Sequence, residues 1–235
     1  QGEGGLDGSD ISENDIIGSA SSKTGLYALT KTDLFNLLCI PPRIRPTPEN
    51  IGNAGTFTSA NIYAQALTMC VERRAFLIVD PSLEWGLSAD TAVDSATQGR
   101  EDLNLSGTAA RNAALYFPGI RAVDPLRDNQ VSDFVPCGAI AGIMARTDGT
   151  RGVWKTPGGL DAALAGVQGL QVNLNDLENG TLNLLGINCL RSFPVSGRVV
   201  WAGCRGAVGP LREVAAPVEA GAERRGVDRE EWACS

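Results

Sequence analysis

Short apolar runs alternate with helical periodicity through the first half of the chain. Residues 34–40 form an apolar run closed by two prolines, which is typical of a buried strand of a parallel sheet. Residues 58–73 repeat apolar side chains at intervals of three and four, which predicts an amphipathic helix. The predicted buried face of this helix consists of Tyr63, Ala66, Leu67 and Cys70. Residues 75–79 form a second apolar run, so the order strand, helix, strand predicts a βαβ unit.

The same alternation continues toward residue 201. Helices are predicted at residues 105–112 and 136–146, a short helix or turn within 176–185, and strands at 113–117, 187–190 and 199–201. Gly138 and Gly142 lie in the second of these helices and predict close packing against a neighbour. The fold class is therefore predicted to be α/β, with a mostly parallel sheet flanked by helices and joined by long loops.

Changes in composition divide the chain into three regions. Residues 1–22 are acidic and rich in Gly and Ser, which predicts an N-terminal arm or loop. Residues 23–201 carry the alternating elements and are predicted to form the α/β domain. Residues 202–235 are rich in Ala, Gly and Arg and have no clear periodicity, so they are predicted to be an atypical tail.

Charge and histidine content exclude several classes of function. The chain has 20 Lys and Arg against 27 Asp and Glu, a net charge of −7. A nucleic-acid partner is not expected, because phosphate binding needs clustered basic side chains. The sequence contains no His, so neither a Ser-His-Asp nor a Cys-His mechanism can be assembled from this chain alone.

Cofactor, metal and membrane signals are also absent from the sequence. No phosphate-binding glycine loop, dinucleotide motif or nucleophile elbow occurs, so no cofactor is predicted. None of the 6 cysteines falls in a C-x-x-C pair, and most lie inside apolar runs. They are interpreted as buried small hydrophobic residues in a reducing compartment, with no metal bound. No run of 18 apolar residues occurs, so no membrane span is predicted.

A few residues remain as candidates for chemistry or contacts. Asp80 follows a predicted strand, where α/β folds often place functional groups, but without a His partner it is interpreted as a helix or turn cap. Asp148, Arg151 and Lys155 can bind an anion or form surface ion pairs. Trp154, between the two basic residues, can make a cation–π or other intrachain contact, or anchor an interface.

Several segments together resemble a known family. Residues 145–157, ARTDGTRGVWKTP, are similar nearly residue for residue to a segment of the tail sheath proteins of contractile phages and related contractile injection systems. Residues 186–191 and 197–201 are similar to two later strands of that family. Residues 8–10, 25–29, 34–37 and 133–136, with Gly142, resemble further family segments in the same order. The chain is therefore identified as similar to tail sheath proteins over roughly residues 5–201.

The resemblance implies a function and a set of partners. The expected sheath domain resembles subtilisin in topology only. The protein is expected to be a structural subunit and not an enzyme. Its copies would polymerise into a helical homo-oligomer around a tail tube protein and contract to drive the tube through a target envelope. Baseplate and tail terminator proteins would be further partners. The expected location is the virion tail, assembled in the cytoplasm of a bacterial host.

The resemblance also gives candidate contact residues and alternative functions. Asp148, Arg151, Trp154 and Lys155 are the expected inter-subunit contacts, since they are polar or aromatic residues in the best-matched segment. The alternatives are a non-catalytic baseplate or binding component, or a truncated prophage remnant, on the same fold. A hydrolase using a Ser-Lys or carboxylate mechanism is a further rival.

The tail departs from the family pattern. After Trp201 the family continues with more of this domain and a C-terminal domain, whereas residues 202–235 resemble neither. We expect that this tail reflects a frameshift or premature end, is mostly disordered, and carries no function. We also expect that the chain alone does not build a normal sheath.

Overall fold

The computed structural model describes residues 8 and 10–201 of the chain. The predicted tail at residues 202–235 and most of the first ten residues lie outside the described residues. The described part of the chain forms five α-helices: α1 Glu13–Ile17, α2 Ala60–Arg73, α3 Ala92–Asp102, α4 Cys137–Arg151 and α5 Asp176–Leu184. Short 3₁₀ helices lie at Gly25–Lys31, Leu83–Gly86 and Thr108–Asn112.

Eight strands form two sheets in the described residues. They are β1 Leu37–Cys39, β2 Phe76–Val79, β3 Ala113–Phe117, β4 Ile120–Asp124, β5 Gln130–Phe134, β6 Val167–Leu170, β7 Ile187–Phe193 and β8 Gly197–Val200. The larger sheet has the order β1-β2-β3-β7-β8. Its first four strands are parallel, and β8 pairs with β7 in antiparallel fashion. The predicted α/β class with a mostly parallel sheet is confirmed.

Both faces of the large sheet are covered, because successive side chains of a strand point to opposite sides. Strand β3 is buried along its whole length. Its residues Leu115 and Phe117 face a core shared with α2 and α5, whereas Tyr116 faces a second core. The second core contains Ile140, from α4, and residues of the smaller sheet such as Leu170. Helix α4 and the smaller sheet therefore lie on the side of the large sheet opposite α2.

Helix α2 matches its prediction closely. Ser59 caps it by accepting a hydrogen bond from the backbone N–H of Ile62 at 3.4 Å. The four side chains of the predicted face are all buried. The C-terminal cap of the helix is Arg74, which adopts the left-handed conformation with φ of 55°.

Four predictions from the sequence need correction. The predicted helix 105–112 is a 3₁₀ turn at Thr108–Asn112, and the predicted helix 136–146 continues to Arg151. Gly138 and Gly142 do not permit close packing, because both are exposed and a Cβ added at either would contact nothing within 4 Å. The predicted loop at residues 1–22 contains α1, where Ser12 and Asp15 form a capping box.

The smaller sheet, of order β5-β4-β6, is antiparallel and was not predicted. The buried carboxylate of Asp124 at the end of β4 pairs with Arg45. The outer edge of β8 is also occupied. Gly159 N donates to Val200 O at 2.7 Å, and Leu164 N donates to Arg198 O at 2.8 Å. Residues 159–164 therefore cover this edge of the large sheet.

Within residues 8 and 10–201, no helix combines the length and apolar character needed to cross a membrane.

Candidate functional site

The predicted contact residues lie where α4 ends. Asp148 and Arg151 are on the last turn of the helix, and Trp154 and Lys155 lie in the turns that follow. Gly152 ends the helix at φ of 98°, and its N–H donates to Thr147 O and Asp148 O at 3.2 and 3.1 Å. Glycine is favoured at this position, because a residue without a Cβ adopts a positive φ without steric strain. We call residues 145–161 the assembly segment.

Trp154 is the most prominent apolar side chain of the assembly segment. It is 72% exposed. Its indole ring lies against Gly152, where an added Cβ would be 2.6 Å from Trp154 Nε1. Val153 and Leu160, in the same segment, are 69% and 57% exposed. Large exposed apolar side chains grouped in one loop are typical of a contact surface.

Two charged residues of the assembly segment, Arg151 and Lys155, have contacts within the chain. Arg151 Nη1 lies 3.2 Å from Asp161 Oδ2, and both side chains are more than half exposed. Such a pair contributes about 0–1 kcal/mol to stability, because water and salt screen it. Arg151 therefore forms a surface ion pair, but with Asp161, ten residues away, which was not among the candidate residues. Lys155 is half-buried, and its backbone N–H donates to Gly152 O at 3.1 Å.

A cation–π contact at Trp154 does not form in the described part of the chain. The cation–π pairs there are Arg45 with Phe134, Arg73 with Phe35, and Arg191 with Phe193. The tryptophan instead covers a glycine and leaves most of its ring in solvent.

Asp80, the other candidate, caps a helix as the sequence predicts. Its Oδ1 accepts a hydrogen bond from the backbone N–H of Cys137, the first residue of α4, at 2.8 Å. Its own backbone N–H donates to the hydroxyl of Tyr63 at 3.0 Å. Burial of the carboxyl group raises the pKa of Asp80 to about 7. The second carboxylate oxygen, Oδ2, is buried without a hydrogen-bond partner.

Asp80 lies apart from four surface cavities of the described residues. Its neighbours Tyr63 and Cys137 do not line these cavities either. One, of about 360 Å³, lies between the loop at residues 46–51 and the hairpin of β4 and β5. No three His, Cys, Asp or Glu side chains of residues 8 and 10–201 are grouped so as to hold a metal ion.

The cysteines largely follow the prediction. Cys70, Cys137 and Cys189 are buried and Cys39 is half-buried, and all four are free thiols. Cys204 and Cys234 lie outside the described residues. The sequence did not indicate that Cys39 and Cys137 would be neighbours. They are 98 residues apart, yet Cys39 Sγ donates to Cys137 O at 3.6 Å.

Comparison with known proteins gives matches among solved structures. No family model matches the chain, and no curated protein matches it in sequence. The sheath complex of PVC, an extracellular contractile injection system in its contracted state, matches with a TM-score of 0.52. The sequence identity is 22%, and the match covers 76% of this chain and 43% of that chain.

Two structures of the anti-feeding prophage give weaker matches. Its baseplate matches at a TM-score of 0.46 and 24% identity, covering 64% of this chain and 35% of that chain. Its helical sheath in the contracted state matches at a TM-score of 0.43 and 25% identity, covering 60% of this chain and 34% of that chain. This chain spans less than half the length of each of the three proteins.

The structural match agrees with the sequence resemblance. The described residues have a fold like that of a contractile-injection-system sheath protein.

Proposed function

We propose that this chain is a structural subunit of a contractile sheath. In this proposal, copies of the chain form a helical homo-oligomer around a tube protein, with baseplate and terminator proteins at its two ends. Contraction moves the subunits as rigid bodies and drives the tube through a target envelope. The location would be the tail of a phage or phage-like particle, assembled in the cytoplasm of a bacterial host.

The observation that carries the proposal is the fold shared with the PVC sheath over 76% of this chain. The exposed assembly segment supports the proposal, because a helical lattice needs a surface on each subunit that is available for contact with neighbouring subunits. Trp154 is the kind of side chain that anchors such contacts, since a large aromatic ring loses little conformational entropy when it is buried.

We also propose that the subunit works without catalysis. Asp80, the buried carboxylate that follows β2, accepts a hydrogen bond from the first backbone N–H of α4, and the buried carboxylate of Asp124 pairs with Arg45. The free energy of contraction would come from better contacts between subunits in the contracted lattice. The domain would extend over residues 23–201, with residues 1–22 as an arm preceding it.

Immunogold electron microscopy tests the proposed function. Antibodies raised against the purified chain would be applied to tail-like particles from lysates of the producing bacterium. Gold along the outer length of the tail is the expected result. Gold confined to the tip would support a baseplate component instead, and intact tails without gold would contradict the proposal. Antibodies against the tube protein, which the sheath hides before contraction, provide the control for accessibility.

A further inference from the structure

Two cysteines distant in sequence meet at the carboxyl end of the parallel strands. Cys39 is the last residue of the edge strand β1, and Cys137 is the first residue of α4. The Cys39 thiol donates to the carbonyl oxygen of Cys137 at 3.6 Å. The backbone N–H of Cys137 is held by Asp80, at 2.8 Å. Three elements, β1, β2 and α4, therefore fix the positions of the two thiols.

The two thiols differ in exposure and in acidity. Cys39 is half-buried on an edge strand, whereas Cys137 is 4% exposed. A hydrogen bond from the Cys137 thiol lowers the pKa of Cys39. The same interaction, together with burial and the neighbouring Asp80 carboxylate, raises the pKa of Cys137. The more accessible thiol is thus the more readily ionised one, which is the order that thiol–disulfide exchange requires.

We propose that Cys39 and Cys137 are a reversible dithiol–disulfide site, oxidised by a small-molecule disulfide such as oxidised glutathione. The disulfide ties the edge strand β1 to the first turn of α4. The site is independent of the proposed sheath function and is not one that the spacing of the cysteines in the sequence indicates.

The exchange balances in two steps. The Cys39 thiolate attacks one sulfur of oxidised glutathione, forming a mixed disulfide and releasing one glutathione thiolate. The Cys137 thiol then gives its proton to the Asp80 carboxylate, whose Oδ2 has no other partner, and attacks the Cys39 sulfur. The second glutathione leaves as a thiolate. The protein dithiol is oxidised by two electrons, and one glutathione disulfide is reduced to two thiols.

The chain contains matched cysteines for comparison. Cys70 on α2 and Cys189 on β7 are buried in the core on the other face of the large sheet. Burial raises the pKa of each to about 12, so neither thiol is expected to react in the folded protein.

Peptide mapping of the full chain tests the proposal. The reduced protein would be treated with oxidised glutathione at pH 8 without denaturant, alkylated and digested with trypsin. The expected product links the peptide of residues 32–43, which contains Cys39, to that of residues 128–146, which contains Cys137. The melting temperature is expected to rise by several degrees on oxidation and to return on reduction, because the bond closes a long loop.

Three variants separate the steps. Cys137→Ser is expected to stop at the glutathione adduct on Cys39, and Cys70→Ser to form the same linked peptide as the wild type. Asp80→Asn retains an oxygen that can accept from Cys137 N–H but cannot take a proton. The Asp80 charge raises the pKa of Cys39, so in this variant the adduct should form at least as fast as in the wild type and resolve several-fold more slowly. Circular dichroism establishes that each variant is folded.

Specific results would overturn the proposal. The first is that the folded wild-type chain forms no peptide that links Cys39 to Cys137. The second is that the linked peptide forms only in urea. The wild-type map decides the matter even if every variant fails to fold. A full-rate second step in Asp80→Asn would contradict the role assigned to the carboxylate.

Discussion

The two ends of helix α4 have opposite environments. At its first residue, Cys137 is buried and its N–H is bound by the buried carboxylate of Asp80. At its last residue, Arg151 makes one exposed ion pair, and Trp154 follows with 72% of its surface in solvent. One helix thus connects the interior of the domain to the assembly segment. Substitutions at the first end should change folding, and substitutions of the exposed side chains Arg151 and Trp154 at the second should change association.

The largest expected effect is on the buried part of α4. Ile140→Ala removes a side chain that is 1% exposed in the core between α4 and the large sheet. We expect a loss of about 3–4 kcal/mol in the free energy of unfolding, because burial is lost and a cavity remains. Urea unfolding followed by circular dichroism measures it. Val153→Ala, at a side chain 69% exposed, is the matched control and should change stability by less than about 0.5 kcal/mol. Equal losses in the two variants would contradict the comparison.

The next effect is a dependence of stability on pH that Asp80 causes. Its pKa is raised by burial from 3.8 to about 7, so between these values the folded state binds more protons than the unfolded state. Stability should therefore fall by about 3 kcal/mol as the pH rises from about 4 to 7. Asp80→Asn should abolish this decrease, because Asn carries no charge to desolvate. Urea unfolding at a series of pH values measures both slopes.

Two other carboxylates have pKa shifts of the opposite sign. A hydrogen bond from Ser12 lowers the pKa of Asp15, and one from Thr47 lowers that of Glu49. Any stability that these ionised groups contribute is lost at more acidic pH, below their ordinary values. An unchanged slope in Asp80→Asn would mean that the Asp80 carboxylate does not cause the decrease.

A smaller loss is expected from Gly152→Ala at the exposed end. The position has φ of 98°, and the new Cβ would meet Trp154 Nε1 at 2.6 Å. We expect a cost of about 1–2 kcal/mol from backbone strain and displacement of the ring. Gly149→Ala, inside α4 with nothing within 4 Å of the added Cβ, should instead stabilise by about 0.5–1 kcal/mol. Thermal unfolding of the two variants gives the comparison, and the same sign for both would refute it.

The smallest effect on folding, with the largest on association, is expected in Arg151→Glu and Trp154→Ala. Removing the exposed pair with Asp161 should change stability by no more than about 0.5 kcal/mol. The amount of each variant that is incorporated into sheaths should fall at least several-fold. Co-sedimentation with preassembled particles measures it. Leu126→Ala, at a side chain 84% exposed in the β4–β5 turn, is the matched control outside the assembly segment. Normal incorporation of both variants would remove these residues from the interface.

The sequence predicted the large sheet better than the small one. Strand β3 matches the predicted run 113–117 residue for residue, because a strand buried on both faces is apolar throughout. Strands β4 and β5 carry Arg121 and Asp133, which pair across the sheet with Nε and Oδ1 2.9 Å apart. A short, half-exposed antiparallel strand with charged side chains has too few apolar positions to be recognised from the sequence.

Helix α3 was missed for a different reason. Its buried face consists of Ala92, Ala96 and Gly99, which have little hydrophobic signal. The reason for small residues is steric: a Cβ at Gly99 would lie 2.0 Å from Trp85 Cζ2. The spacing of four and three residues was the available indication. The location of the candidate contact residues followed from sequence resemblance, whereas their exposure and the ion pair of Arg151 with Asp161 depend on tertiary structure.

The segment at residues 159–164, which hydrogen-bonds along β8, affects how closely packed copies of a sheath protein would resist aggregation. An uncovered strand edge can pair with the same edge of another molecule and start fibrous aggregates. Here the backbone groups of Val200 and Arg198 are already bonded within the chain. Copies of the protein can therefore be held side by side at high density without that edge recruiting a neighbour into an extended, irreversible ribbon.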